Sequence, residues 1–188
     1  VNCIKRRIIV GITGASGIEY AVELLKELKK RREIETHLIV SDAAKKVLKV
    51  ETALKAKDLE KLADFSYGNK DMAAPVSSSS FKVDSMIVIP ASVKTCSAIA
   101  NAYTDELIAR CADNMLKFKK TLVVCIRETP LSPACLKNLH DLSLMGAIVM
   151  PLSPGFYLNP KSKKDIVSFM IGKCLDALGV ENSFKRWK

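Results

Sequence analysis

No uninterrupted apolar stretch approaches the ~18 residues that span a bilayer, so no membrane helix is expected. The six cysteines, Cys3, Cys96, Cys111, Cys125, Cys135 and Cys174, form no CxxC pair, and the two histidines, His37 and His140, lie far apart. A zinc site is therefore not expected. Neither GxGxxG nor GxxxxGK[ST] occurs, which argues against a dinucleotide fingerprint and against a P-loop. Aromatic residues make up 6% of the 188, leaving few platforms on which bases could stack. That scarcity matters because the net charge is +10, which alone would raise nucleic acid as a partner. The basic clusters, among them Lys29-Lys30-Arg31-Arg32, Lys117 to Lys120 and Lys161 to Lys164, sit mostly at element ends and read as a solvated surface. No nucleic-acid or membrane partner is expected. Most cysteines fall in apolar patterns, as reduced thiols in a core do, and Val1 to Arg7 has no signal-peptide apolar region. A cytoplasmic location follows as the expectation.

What is present is an alternation of apolar runs and helical patterns. Candidate strands are Ile8 to Ile12, Thr36 to Val40, Met86 to Ile89, Leu122 to Ile126 and Ala147 to Met150. Most are continuous hydrophobic runs rather than alternating ones, as in parallel strands covered by helices on both faces. The expected fold is a single-domain α/β protein over 1–188, with a doubly wound, mostly parallel sheet. Helix signals agree: Ile18, Ala21, Val22, Leu25 and Leu28 share one face, Ser132-Pro133 opens a helix closed by Gly146, and Ser162 to Asp165 resembles a capping box. The stretches Lys55 to Ser80 and Pro151 to Pro160 read as long irregular segments, a type that tends to carry function.

In such a sheet a ligand sits beyond the carboxyl ends of the strands. The first strand runs into Thr13-Gly14-Ala15-Ser16-Gly17, a small-residue turn at a helix start, which suits a mononucleotide phosphate but also serves as a plain strand–helix connection. Later strands are followed by Ser41-Asp42, by Pro90-Ala91-Ser92-Val93-Lys94-Thr95, by Arg127-Glu128-Thr129-Pro130 and by Pro151 to Tyr157. Ser41 and Ser92 are also expected helix N-caps. Arg127-Glu128 is a charged pair at the mouth of a buried strand, where charges need partners.

Taken in order and spacing, Thr13 to Gly17, Pro90 to Thr95, Arg127 to Pro130 and Pro154-Gly155-Phe156-Tyr157 resemble the UbiX/Pad1 flavin prenyltransferases, from about Lys5 to Trp187. The resemblance implies a Rossmann- or flavodoxin-like fold and an enzyme that joins a dimethylallyl group from dimethylallyl phosphate to N5 and C6 of reduced FMN. The product, prenylated FMN, would serve a UbiD-type decarboxylase. It implies FMN contacts from Gly14, Ala15, Ser16, Ser41, Ser92, Val93, Lys94, Thr95 and Arg127. The donor would meet Glu51, Arg110, Lys117, Arg127, Glu128, Tyr157, Lys173 and Trp187, some across a subunit interface in a homo-oligomer, a dodecamer by family resemblance. Residues 180–188 would be a closing arm. Read bare, Lys117 is part of a solvated run, Arg110 could pair with Asp113, and Glu51 could be ordinary surface.

The chemistry suits these residue types. Lys117 and Arg127 can offset charge growing on a departing phosphate, Glu128 can take a proton, Ser16 can relay it, and no metal is required. Three positions depart from the bacterial pattern. Lys173 stands where Arg is common and lacks the bidentate fork. Asp71-Met72-Ala73 replaces a segment that often holds Trp, and Ser77 to Ser80 replaces an Ala-Ser-Gly pattern. The alternatives are an FMN-dependent oxidative decarboxylase of the phosphopantothenoylcysteine decarboxylase type, which relies on a His that neither His37 nor His140 supplies, and a non-catalytic flavin carrier.

Overall fold

Apolar runs buried on both faces require a layer of helices on each side of the sheet. The computed structural model describes residues 5–184 and has that arrangement. Six parallel strands stand in the order β3-β2-β1-β4-β5-β6. They are β1 (Arg6–Ile12), β2 (Ile34–Val40), β3 (Phe65–Gly68), β4 (Ser85–Ala91), β5 (Thr121–Ile126) and β6 (Ile148–Val149). The helices are α1 (Ile18–Lys29), α2 (Asp42–Glu51), α3 (Ala56–Glu60), α4 (Val93–Ala100), α5 (Leu107–Lys117), α6 (Pro133–Leu144) and α7 (Lys163–Ala177). Because the pleat alternates, Ile8, Val10 and Ile12 pack with α1, α2 and α7, while Met86, Val88, Leu122 and Val124 on neighbouring strands pack with α4, α5 and α6. Strand order reverses between β1 and β4, so the crevice above their carboxyl ends is the expected ligand position.

The five strands read from sequence are all present, although the last is shorter: β6 pairs only Ile148 and Val149 with β5. The sheet has a sixth strand. β3 lies inside the stretch read as irregular, where it pairs with β2 from His37↔Phe65 to Val40↔Gly68. It is a short edge strand with mostly exposed side chains, and it carries no apolar run to betray it. Ser132 and Ser162 cap α6 and α7 as expected, the latter in a capping box with Asp165. Cys96, Cys111, Cys125, Cys135 and Cys174 are buried, and burial pushes the Cys96 and Cys111 thiols up to about 12. Cys3 and Trp187 lie outside the described residues, as does the end of the 180–188 arm. No described helix is long and apolar enough to cross a membrane.

Candidate active site

The turns after β1 and β4 are clasped together by one side chain. Thr13, 2% exposed, donates its Oγ1 hydrogen to the Pro90 carbonyl at 2.7 Å and accepts the Ser92 N–H at 2.8 Å. The Ser41 N–H donates to Ile12 O at 3.0 Å, and the Arg127 N–H to Ala91 O at 3.1 Å. Four strand ends are thus fixed relative to one another. Ser41 and Ser92 then open α2 and α4, accepting from Ala44 N at 3.1 Å and Thr95 N at 3.3 Å. Gly14 lets the first turn lie against α2, because a Cβ there would come within 2.5 Å of the Ala43 Cβ.

Between these helix starts is a cleft of about 340 Å³, lined by Thr13, Gly14, Ser41, Asn69, Lys70, Ser92, Lys94, Thr95 and Glu106 among others. The first-turn N–H groups of α2 and α4 have no intrahelical acceptors, and both dipoles present their positive ends there. Such an arrangement suits a phosphate. The Lys94 ammonium lies 3.0 Å from the Glu106 carboxylate at the rim. Of the residues assigned to FMN, Gly14, Ser41, Ser92, Lys94 and Thr95 line this cleft, and Val93 begins α4.

On the other side of the first turn the start of α1 already has an acceptor. Gly17, at φ 99°, and Ile18 donate their N–H groups to Glu51 Oε2 at 2.9 and 3.0 Å. The segment Thr13 to Gly17, read as the phosphate seat, therefore offers its last two N–H groups to a carboxylate, and the starts of α2 and α4 are the ones left open to the cleft. Burial works against the charge on Glu51. Hydrogen bonds from the Ser16 side chain and from Gly17 and Ile18, with the nearby charge of Arg127, outweigh it and hold the carboxyl below its usual range. Ser16, Tyr20 and Glu51 border a second hollow of about 320 Å³, with Glu19 and Lys163 ion-paired at its edge. Ala15 is buried in the turn between the two hollows.

The remaining residues are more scattered. Arg127 and Glu128 are exposed, and Glu128 Oε1 accepts the Thr129 N–H at 2.9 Å. Tyr157 meets Phe169 edge-on at 5.7 Å, and the Lys173 ammonium lies 5.9 Å from the centre of the same ring, so the structure brings these two together. Lys117 is elsewhere. It ends α5 just before β5 begins, at the amino edge of the sheet, where it pairs with Asp113 at 2.5 Å. Arg110 is half-buried in the same helix, and the pairing of Arg110 with Asp113 entertained from sequence gives way to Lys117. Neither histidine lines the cleft: His37 is buried in β2, stacked on Phe65 at 5.0 Å, and His140 is an exposed residue of α6. Among the described residues no group of three or more His, Cys, Asp or Glu is placed to hold a metal ion.

Asn69, Lys70 and Tyr20 also face these hollows and were missed in the sequence. The signal for the first two was the Gly68-Asn69-Lys70-Asp71 turn, which marks a strand end once Phe65 to Gly68 is read as a strand.

The comparisons agree with this geometry. The family described as Flavoprotein matches residues 2–175. The chain is 48% identical over 182 residues to the flavin prenyltransferase UbiX of Methanocaldococcus jannaschii, covering 96% of this chain and 98% of the relative. The crystal structure of AnUbiX (PadA1) in complex with FMN and dimethylallyl pyrophosphate superposes with a TM-score of 0.95 at 41% identity, over 98% of each chain. A dodecameric FMN-dependent UbiX-like decarboxylase from Escherichia coli O157:H7 superposes with a TM-score of 0.94 at 43% identity, over 97% of this chain and 98% of that one. The cleft above a β1/β4 switch point and the near full-length identity lead to one assignment: the chain belongs to the flavin prenyltransferase UbiX family, within the Flavoprotein family.

Proposed function

We propose that this chain transfers a dimethylallyl group from dimethylallyl phosphate to reduced FMN, whose N5 and C6 atoms supply the nucleophilic positions. The observation that carries the reading is the pairing of two hollows across one turn. One is walled by two helix starts suited to a phosphate, and the other holds Ser16 against the Glu51 carboxylate under the charge of Arg127. The residues of the first hollow fit the phosphate end of FMN: Gly14, Ser41, Ser92 and Thr95 surround it with N–H groups and hydroxyls. Ala15, Ser16 and Arg127 would follow the flavin toward the second.

In this reading Arg127, Lys173 and Tyr157 hold the donor phosphate and offset the charge that grows on its oxygens as the allylic carbon leaves. Glu128 has only its neighbour's N–H as a partner in the described contacts, so it can turn to accept a proton beside that phosphate. Ser16, hydrogen-bonded to Glu51, would relay one. Lys117 stands at the opposite edge of the sheet from its own chain's cleft, so it would act on the site of a neighbouring copy, and Arg110, in the first turn of the same helix, would also meet the donor. A homo-oligomer follows, a dodecamer as in the E. coli O157:H7 relative. The product would pass to a UbiD-type decarboxylase, in the cytoplasm.

The test is anaerobic incubation with reduced FMN and dimethylallyl phosphate, followed by mass spectrometry of the extracted flavin. Gain of one five-carbon unit is the expected result. Unaltered flavin, with decarboxylation of a cysteine-containing substrate instead, would support the oxidative decarboxylase.

A further inference from the structure

Asn69, not among the assigned residues, is 7% exposed and lines the proposed phosphate cleft. Its side-chain Oδ1 accepts the Ile108 N–H at 2.9 Å, and its carbonyl accepts the Leu107 N–H at 2.7 Å. These are the first N–H groups of α5, whose own N-cap residue, Glu106, does not cap them with its side chain. Asn69 therefore caps α5 from a strand end 39 residues away in sequence. The bond from Ile108 also fixes which way the amide points, since a flip would set an N–H group against an N–H group. The Nδ2 group has no acceptor among the described residues and is not sealed from solvent, and the residue borders the cleft. A donor open to a cleft walled by two helix starts is one that a phosphate oxygen would accept from.

We propose that Asn69 is a further flavin-phosphate residue, donating through Nδ2 to the phosphate seated between α2 and α4 while its Oδ1 holds the first turn of α5. The proposal rests on the reading of this cleft as the FMN phosphate seat. It has a consequence beyond affinity. α5 carries Arg110 and Lys117, so a phosphate that orders Asn69 also steadies the helix assigned to the donor site, and flavin binding prepares donor binding.

Asn69→Asp separates the two halves of the role. It keeps an acceptor for Ile108 N–H, removes the donor and places a negative charge against the phosphate. Isothermal titration with FMN and with riboflavin, which lacks the phosphate, reads the result. FMN should bind about 10- to 100-fold more weakly to the variant, the loss of a hydrogen bond to a charged group, while riboflavin affinity and the melting temperature stay at the parent's values. Equal FMN affinity in variant and parent would overturn the proposal, and so would an equal loss for FMN and riboflavin, which is the mark of a merely structural residue. Hydrogen exchange of the unsubstituted protein gives a reading that no variant can spoil: FMN should slow the Ile108 amide more than riboflavin does. Equal protection by both would remove the link to α5. A parent that binds riboflavin as tightly as FMN would instead bring down the phosphate seat itself, and Asn69's role with it.

Discussion

Thr13 is buried between Pro90 and Ser92 with both polar functions of its hydroxyl used, whereas Glu128 lies in solvent with its carboxylate folded onto the next residue's N–H. The contrast extends to their surroundings. Around Thr13, backbone and N-cap hydrogen bonds fix the ends of β1, β2, β4 and β5, which together wall the cleft proposed for the phosphate. Around Glu128, the assigned donor residues are long exposed side chains: Lys173 rests over a ring, Tyr157 is half exposed, and Lys117 is at the far edge of the sheet. Long exposed side chains lose rotamer entropy when they are ordered, so under the proposed function this region would take its working shape against a ligand or another surface. Under the proposed function, the flavin end would be held within one chain and the donor end finished from outside it.

The largest effect should come from the loose end. Glu128→Gln is expected to leave FMN affinity unchanged and slow prenyl transfer by ~10²–10⁴-fold in single-turnover assays, because the amide keeps the shape and removes the base. Parent-like turnover would place the proton elsewhere. Lys173→Met should weaken the donor's apparent affinity by about 1.5–3 kcal/mol with FMN affinity unmoved, while Lys173→Arg keeps or improves it. If both variants titrate donor like the parent, Lys173 belongs to the solvated face of α7.

At the rigid end the effect moves from rate to stability. Thr13→Val strips the Ser92 N–H and the Pro90 carbonyl of a hydroxyl partner in a buried place, and should cost about 1–3 kcal/mol in urea unfolding together with weaker FMN binding. Glu128→Gln and Lys173→Met should unfold with the parent. The smallest effect concerns Glu51. Its carboxyl is held below its ordinary value of 4.5, so its contribution to stability is present above that pH and fades as pH falls through the lowered value. The stability gap between parent and Glu51→Gln should be widest near neutrality and narrow below pH 4.5. A gap that is constant with pH would mean that the charge has no part in capping α1.

Much of the rigid end was legible in the sequence. Continuous apolar runs announced β1, β2, β4 and β5, and Ser41, Ser92, Ser132 and Ser162 announced their helices, because burial and N-capping are local demands written into short stretches. β3 was not legible, since an edge strand of Phe-Ser-Tyr-Gly carries little burial, and Asn69 and Lys70 were lost with it. The capping of α1 by Glu51 joins residues 34 apart and exists only once the chain has folded. At the loose end, Tyr157 and Lys173 entered through family resemblance alone, because an exposed Tyr or Lys leaves no local pattern to read.

The division between the two ends is tested most directly by complementation. Lys117→Met and Glu128→Gln, each inactive alone, would be co-expressed in equal amounts and the mixed assembly assayed for prenylated flavin. If Lys117 serves a neighbour's site, random assortment leaves about one site in four with both residues intact, and about a quarter of the parent activity should return. If activity stays at the level of the single variants, Lys117 and Glu128 do not meet across chains, and a donor end completed by a second copy is wrong.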